Sequence, residues 1–129
     1  MRTQVMKKRT IRRALANALG LTLAVLAAMP ASAQHSPSTV YQPTLDRIST
    51  FVVGNNGHLY DKYYNGGWIW EDQGNPPGAL AIGSPDAVYQ PTLDRIVTFV
   101  VGNNGHLYDK YWNGQQWVWE DQGDPGIRL

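Results

Sequence analysis

Residues 50–74 read TFVVGNNGHLYDKYYNGGWIWEDQG, and residues 98–123 read TFVVGNNGHLYDKYWNGQQWVWEDQG. The duplication extends towards the N-terminus, because VYQPTLDRI at 40–48 returns unchanged at 88–96. The offset between the copies is 48 residues as far as Gly114 and 49 beyond it. A repeat of this period predicts one supersecondary unit per copy, which cannot bury its own surfaces alone and must stack on a neighbour.

Four short strands are predicted in each copy, since turn signals such as Gly-Asn-Asn-Gly at 54–57 and Asn65-Gly66 separate short runs of β-branched and aromatic residues. In the first copy the strands are residues 38–42, 47–53, 58–64 and 68–72. The second strand carries apolar residues on both faces of its pleat, so neighbours are expected on both sides. The predicted fold is therefore all-β, with two four-stranded antiparallel β-propeller blades per chain. A flat two-sheet sandwich is the alternative, because sandwiches also show short strands at regular spacing.

Three segments follow from this pattern. Residues 1–33 combine a basic start, an apolar run and an Ala-Ser-Ala site, which predicts a secretory signal peptide that is cleaved after Ala33. A membrane anchor is the alternative, but the apolar run is shorter than the ~20 residues that a spanning helix needs. Residues 34–87 are predicted to form the first blade with a linker at 74–87, and residues 88–129 the second blade. The protein is accordingly expected outside the cell.

Charge and composition exclude several classes of function. The whole chain has a formal charge of +1, but six of its 11 basic residues lie in residues 1–33, while all ten acidic residues lie beyond it. The remaining chain has five basic residues and a net charge of −5, so binding to nucleic acid or, after cleavage, to a membrane is not expected. There is no cysteine, one histidine per repeat (His58 and His106) is a poor metal site, and no nucleophile motif occurs. We therefore expect no cofactor, no metal and no enzymatic activity.

The candidate binding residues are aromatic, cationic and acidic side chains that recur in both copies. Indole and phenol rings offer a flat apolar face for the C–H face of a sugar, and arginine offers a fork of donors for neighbouring hydroxyls. The paired tryptophans lie two apart, so each pair points to one face, where one ring is expected to pack and one to line a site. Adjacent carboxylates such as Glu71 and Asp72 point oppositely, which does not suit glycoside hydrolysis. The candidates are Trp70, Trp119, Trp68, Trp117, Tyr64, Trp112, Arg47, Arg95, Glu71 and Glu120.

The stretch GNNGHLYDKYWNG followed by WVWEDQG resembles the repeat of the PLL-type bacterial lectins, G-x-x-G-x-L-Y-x-K-W-W-(D/N)-G…W-x-x-W-E-x-x-G. That resemblance covers residues 36–125 and implies a β-propeller that binds fucose or related sugars in sites between or within blades. Two departures are the closer spacing of the two tryptophans and the presence of two repeats instead of seven. Small fucose lectins with two blades per chain, which trimerise into six-bladed propellers, are a more distant architectural analogy.

A secreted lectin that recognises fucosylated or related glycans is therefore the leading hypothesis. A structural or adhesive propeller that binds protein is the second, and a fragment of a larger propeller protein is the third. Two blades stacked side by side leave one apolar face each uncovered, which predicts a homo-oligomer. Because propellers have four to eight blades, a dimer, trimer or tetramer is allowed, and the trimer is favoured.

Overall fold

The computed structural model describes residues 35–127, so the predicted signal peptide and its cleavage site lie outside the described residues. Two four-stranded sheets make up this part of the chain, and each is an antiparallel meander in sequence order. The all-β prediction is confirmed at this level. Sheet 1 consists of β1 (Ser38–Gln42), β2 (Arg47–Val53), β3 (Leu59–Tyr64) and β4 (Trp68–Asp72); sheet 2 consists of β5 (Ala81–Gln90), β6 (Arg95–Gly102), β7 (Leu107–Trp112) and β8 (Trp117–Gly123).

The turns form where the sequence supplies residues that tolerate a positive φ. A single 3-10 turn, Pro43–Leu45 in sheet 1 and Pro91–Leu93 in sheet 2, joins the first two strands of each sheet. Proline fixes the start of each turn, and the following Asp46 or Asp94 adopts the left-handed conformation that aspartate accepts more readily than most residues. Both sheets consequently place an aspartate at the same corner.

Strand β5 is longer than the sequence indicated. It begins at Ala81, inside the stretch 74–87 that was expected to be a linker, and its pairing with β6 is interrupted by a bulge between Ile82 and Asp86. The bulge accommodates Pro85, which lacks a backbone donor for a regular ladder. The N-terminal segment, residues 35–38, contacts this extension: the Ser36 amide donates to the Ser84 hydroxyl over 2.9 Å, and the Ala87 amide donates to the Ser38 hydroxyl over 2.9 Å.

The two sheets pack face to face, and the same surface of each repeat has a different role. We call the side of a sheet that carries Ile48, Val52 and Tyr60, or their counterparts in sheet 2, the front face, and the opposite side the back face. The back face of sheet 1 packs against the front face of sheet 2 and encloses the core. This core contains Val40, Phe51, Val53, Leu59, Ala79, Ala81, Ile96, Val100 and Tyr108.

The other two faces have no covering sheet within the described residues. Ile96 on the front face of sheet 2 is 4% exposed, whereas its counterpart Ile48 on sheet 1 is 47% exposed. On the back faces the relation is reversed, since Leu59 in sheet 1 is 0% exposed and Leu107 in sheet 2 is 39% exposed. Identical sequences therefore meet different surroundings according to their order along the chain.

Candidate functional site

A groove of about 460 Å³ opens between the two sheets, beside the two 3-10 turns. We call it the inter-sheet groove. Its floor and one wall come from the back face of sheet 1, through Arg47, Ser49 and Glu71, and its other wall comes from Trp112 and Trp117 of sheet 2. Each repeat thus contributes a different part of its surface to the same site.

The sheet 1 side of the groove is polar and partly desolvated. Strand register sets Asp61 directly opposite Glu71, so both carboxyl groups belong to the back face. Burial raises the pKa of Asp61 above its usual value, although the Gln73 side-chain amide donates to its carboxylate over 3.0 Å. The Arg47 guanidinium carbon lies 4.9 Å from the centroid of the Tyr63 ring. The buried Arg47 Nε has no hydrogen-bond partner among residues 35–127.

The sheet 2 side of the groove is aromatic. Trp112 at the end of β7 faces Trp117 at the start of β8 in register, and their rings meet edge to face with centroids 6.0 Å apart. Trp117 also makes an edge-to-face contact with Phe51 across the sheets at 6.5 Å, which fixes the ring to the core. The pair therefore presents an anchored indole and a more exposed one opposite the Arg47 side chain.

Hydrogen bonds between the two 3-10 corners close one end of the groove. The Thr44 hydroxyl bonds to the Asp94 carboxylate over 2.6 Å, and the Gln42 amide contacts the same carboxylate over 3.3 Å. With the Tyr89 hydroxyl, these donors lower the pKa of Asp94, and the bond from Thr44 has the largest effect. The Gln42 side chain is therefore oriented towards sheet 2, and Arg47 Nε forms no hydrogen bond with it.

In the second repeat, the equivalent arginine and glutamine are hydrogen-bonded to each other. Arg95 Nε donates to the Gln90 side-chain oxygen over 2.8 Å, and the Arg95 guanidinium carbon lies 4.3 Å from the centroid of the Tyr111 ring. Arg95 reaches the rim of the inter-sheet groove, while Glu120 lies exposed in β8. The two equivalent arginines therefore differ: Arg95 Nε donates to Gln90, whereas the buried Arg47 Nε has no partner among residues 35–127.

The tryptophan pairs divide between packing and the groove. Trp119 packs at the sheet interface, where its indole N–H donates to the Gln73 carbonyl over 3.2 Å and the Lys110 ammonium lies 4.8 Å from the centroid of its ring. Lys110 also donates to the Gln73 carbonyl, and burial lowers the pKa of Lys110. Trp117 lines the groove instead.

The corresponding rings of sheet 1 lie on its uncovered front face. Tyr64 and Trp68 meet edge to face at 5.6 Å, and Trp70 lies 4.8 Å from the Lys62 ammonium, measured to the ring centroid. A shallower hollow of about 300 Å³ lies beside Lys62, Trp68 and Trp70. Of the sequence candidates, the structure gathers Arg47, Glu71, Trp112 and Trp117 in the groove with Arg95 at its rim, and it leaves Trp68, Trp70, Tyr64, Trp119 and Glu120 elsewhere.

Several groove residues are not among the sequence candidates, including Ser49, Asp61 and Tyr63 on the back face of sheet 1. Alternation along β2 puts Ser49 on the same face as Arg47, which is a signal that the sequence contains. A charged residue in the middle of an aromatic strand, as Asp61 is, was a second signal. The sequence alone did not show which surface packs opposite this face and so makes it a wall of the groove.

The histidines lie outside the groove. His58 Nδ1 is 3.0 Å from the Asp72 carboxylate, and His106 repeats this contact with Asp121 at the same distance. Among residues 35–127 there is no group of three side chains able to hold a metal ion. The same stretch contains no helix of the length and hydropathy needed to cross a membrane.

No protein-family model matches the chain, and a search among curated proteins found no match.

Proposed function

We propose that this protein is a non-catalytic lectin that binds fucose or a related sugar in the inter-sheet groove. The observation that carries the proposal is the buried Arg47 Nε, which lacks a partner within the described residues and faces a groove that also contains Glu71 and the Trp112–Trp117 pair. A buried donor without a partner is costly, so a ligand that accepts its hydrogen bond gains that free energy on binding.

The remaining groove side chains suit a sugar. Carboxylates accept hydrogen bonds from hydroxyl groups, the arginine donates to hydroxyl oxygens, and indole rings pack against C–H faces. A volume of about 460 Å³ lies within the range of about 300–1,000 Å³ typical of small-molecule sites. Polar groups on one wall and rings on the other match the two kinds of surface on a pyranose.

The placement of the acids supports binding rather than hydrolysis. Glycosidases place two carboxyl groups on opposite sides of the scissile bond. Here Asp61 and Glu71 are cross-strand neighbours on one face of one sheet, so both lie on the same side of a ligand in the groove. The Asp61 carboxylate is also engaged by Gln73.

We further propose that the sheets are blades of a propeller that closes through assembly of several copies. The front face of sheet 1 exposes Ile48, Trp68 and Trp70, while the internal interface shows that the same surface of sheet 2 is covered by a back face. Head-to-tail contacts of this kind close into a ring or continue as a fibre. Three copies would give six blades, within the range known for propellers. The predicted signal peptide supports secretion.

Titration calorimetry of the secreted protein with L-fucose tests the sugar site. Arg47→Lys keeps the charge but loses the fork of donors, so we expect affinity to fall at least about tenfold, the equivalent of roughly 1.5 kcal/mol for a hydrogen bond to a charged group. Trp112→Ala should weaken binding similarly. Trp70→Ala is the matched control for the affinity of the inter-sheet groove, because it removes an equal ring from the front face of sheet 1, outside that groove. Unchanged affinity in folded Arg47→Lys and Trp112→Ala proteins would reject the groove as the sugar site.

A further inference from the structure

The two repeats differ in very few places along their central stretch. Between residues 40–66 and their counterparts at 88–114, two positions change: Ser49 becomes Val97, and Tyr64 becomes Trp112. Ser49 and Trp112 both line the inter-sheet groove. The duplicated sequence therefore varies, over this stretch, at the site that we assign to the ligand.

The counterparts of these two residues lie on the two uncovered faces of the chain. Val97 belongs to the back face of sheet 2, and Tyr64 belongs to the front face of sheet 1. The internal interface joins a back face to a front face, so the same geometry applied to two chains would bring Val97 of one copy opposite Tyr64 of another.

We propose that a second copy of this chain docks its sheet 1 front face on the sheet 2 back face of the first. This contact completes a second sugar site, built from both copies and different in selectivity from the inter-sheet groove. The inference rests on the proposed sugar-binding function and adds a site to it. The second site would take Arg95, Val97 and Glu120 from one copy, and Ile48 and Tyr64 from the other.

The surfaces needed for this contact are already formed in the single chain. At the internal interface, Lys110 and Trp119 donate to the Gln73 carbonyl, and the Gln73 side chain is held by Asp61 over 3.0 Å. The uncovered back face of sheet 2 contains the counterpart of this Gln73 acceptor site, because the Gln122 side-chain amide donates to the Asp109 carboxylate over 3.1 Å.

The donors that would bind to the Gln122 carbonyl are Lys62 and Trp70, the counterparts of Lys110 and Trp119, and they lie on the uncovered front face of sheet 1. Lys62 lies over the Trp70 ring at 4.8 Å, the same distance as that between Lys110 and Trp119. The Ile48 side chain beside them is 47% exposed and would be buried by the second copy, as Ile96 is buried by sheet 1. Polar and apolar groups therefore both match the internal contact.

Docking would also change the state of Arg95. In the single chain its Nε is occupied by Gln90, whereas in the first repeat Gln42 is turned towards Asp94 of the neighbouring sheet. In the docked pair the residue equivalent to Asp94 is Asp46 of the second copy. Gln90 would turn to this carboxylate, as Gln42 does, and release Arg95 Nε for the ligand. The second site is thus active only in the assembly.

The two substitutions give the second site its own selectivity. Val97 replaces the Ser49 hydroxyl with methyl groups, so a sugar hydroxyl above this position would lose a partner, while a deoxygenated or methylated carbon would gain an apolar contact. Tyr64 replaces the indole of Trp112 with a ring that carries a hydroxyl group. Because a lost hydrogen bond at a buried site discriminates strongly, the two sites should rank a series of sugars differently.

Binding stoichiometry measured beside molecular mass tests the proposal. For the wild type, we expect an assembled protein with two L-fucose sites per chain of different affinity. Val52→Glu places a charge on the front face, where its counterpart Val100 is buried, so it should yield a monomer with one site per chain and an unchanged affinity for the inter-sheet groove. Sedimentation velocity gives the mass and calorimetry gives the number of sites.

Three further results separate this inference from the proposed function. An assembled wild type with one site per chain, or a monomeric Val52→Glu protein that keeps two sites, would overturn the second site and leave the first intact. If neither protein binds L-fucose, the sugar-binding function itself fails, whatever their masses. Should Val52→Glu not fold, Glu120→Ala in the assembled protein replaces it, because Glu120 belongs to the second site and lies outside the inter-sheet groove. We expect the mass and the affinity of one site to stay constant and the affinity of the other to fall at least about tenfold, and two unchanged affinities would contradict the proposal.

Discussion

Truncation of one repeated isoleucine at a time measures how differently the two front faces are covered. In Ile96→Ala, a side chain that is almost completely buried between the sheets leaves a cavity, and such changes cost about 2–5 kcal/mol. In Ile48→Ala, nearly half of the side chain already meets water in the single chain, so we expect a cost of about 1 kcal/mol or less. The expected difference of about 2 kcal/mol corresponds to roughly a thirtyfold change in the unfolding equilibrium.

Urea unfolding followed by tryptophan fluorescence measures the cost of each substitution. We compare protein concentrations above and below the one at which the copies assemble. The cost of Ile96→Ala should be independent of concentration. The cost of Ile48→Ala should rise towards that of Ile96→Ala when the protein is assembled, because a second copy then covers the front face. Equal costs in protein that sedimentation shows to be monomeric would refute the burial asymmetry. A small cost of Ile48→Ala in assembled protein would refute the covering of that face.

Two other predictions follow from single contacts. Thr98 Oγ1 is buried without a partner among the described residues, whereas the hydroxyl of its counterpart Thr50 is hydrogen-bonded to that of Thr39 over 2.8 Å. Thr98→Val should therefore raise the free energy of unfolding, and Thr50→Val should lower it by about 0.5–1.5 kcal/mol. Changes of the same sign for both variants in urea unfolding would contradict this explanation. The pKa of Asp94 is depressed below its usual 3.8, so the stability it contributes is present above that pH and is lost as the pH falls through the lowered value. Acid titration of the wild type and Asp94→Asn should therefore show a smaller loss of stability in the variant, and parallel curves would exclude Asp94 as the cause.

The strand pattern could be predicted closely from the sequence because its signals are local. The predicted strands at 47–53 and 68–72 coincide with β2 and β4. Turn residues and β-branched runs act over a few neighbours, so these boundaries do not depend on the rest of the fold. The start of β5 was missed because its extension depends on contacts with the N-terminal segment and on the bulge at Pro85.

Burial and the membership of the site could not be predicted from local sequence to the same extent. Ile48 and Ile96 occupy the same position in identical segments, and their exposure differs only because one face is covered by another sheet. Trp117 and Trp119 share one face of β8, yet the Gln73 carbonyl of the other sheet binds the second ring and leaves the first to the groove. Such outcomes depend on the stacking of repeats, which no single repeat specifies.

The same dependence on stacking makes the number of the proposed sugar sites a measure of the proposed ring closure. Arg47 and Glu71 come from one sheet and Trp112 and Trp117 from the next, so the groove belongs to a contact between sheets rather than to a repeat. A single chain has one such contact. An open pair of chains would have three contacts for two chains, whereas any closed ring would have two contacts per chain, because each front face then meets a back face. Calorimetric stoichiometry in the assembled protein therefore distinguishes a closed propeller from an open stack, independently of how many copies the ring contains.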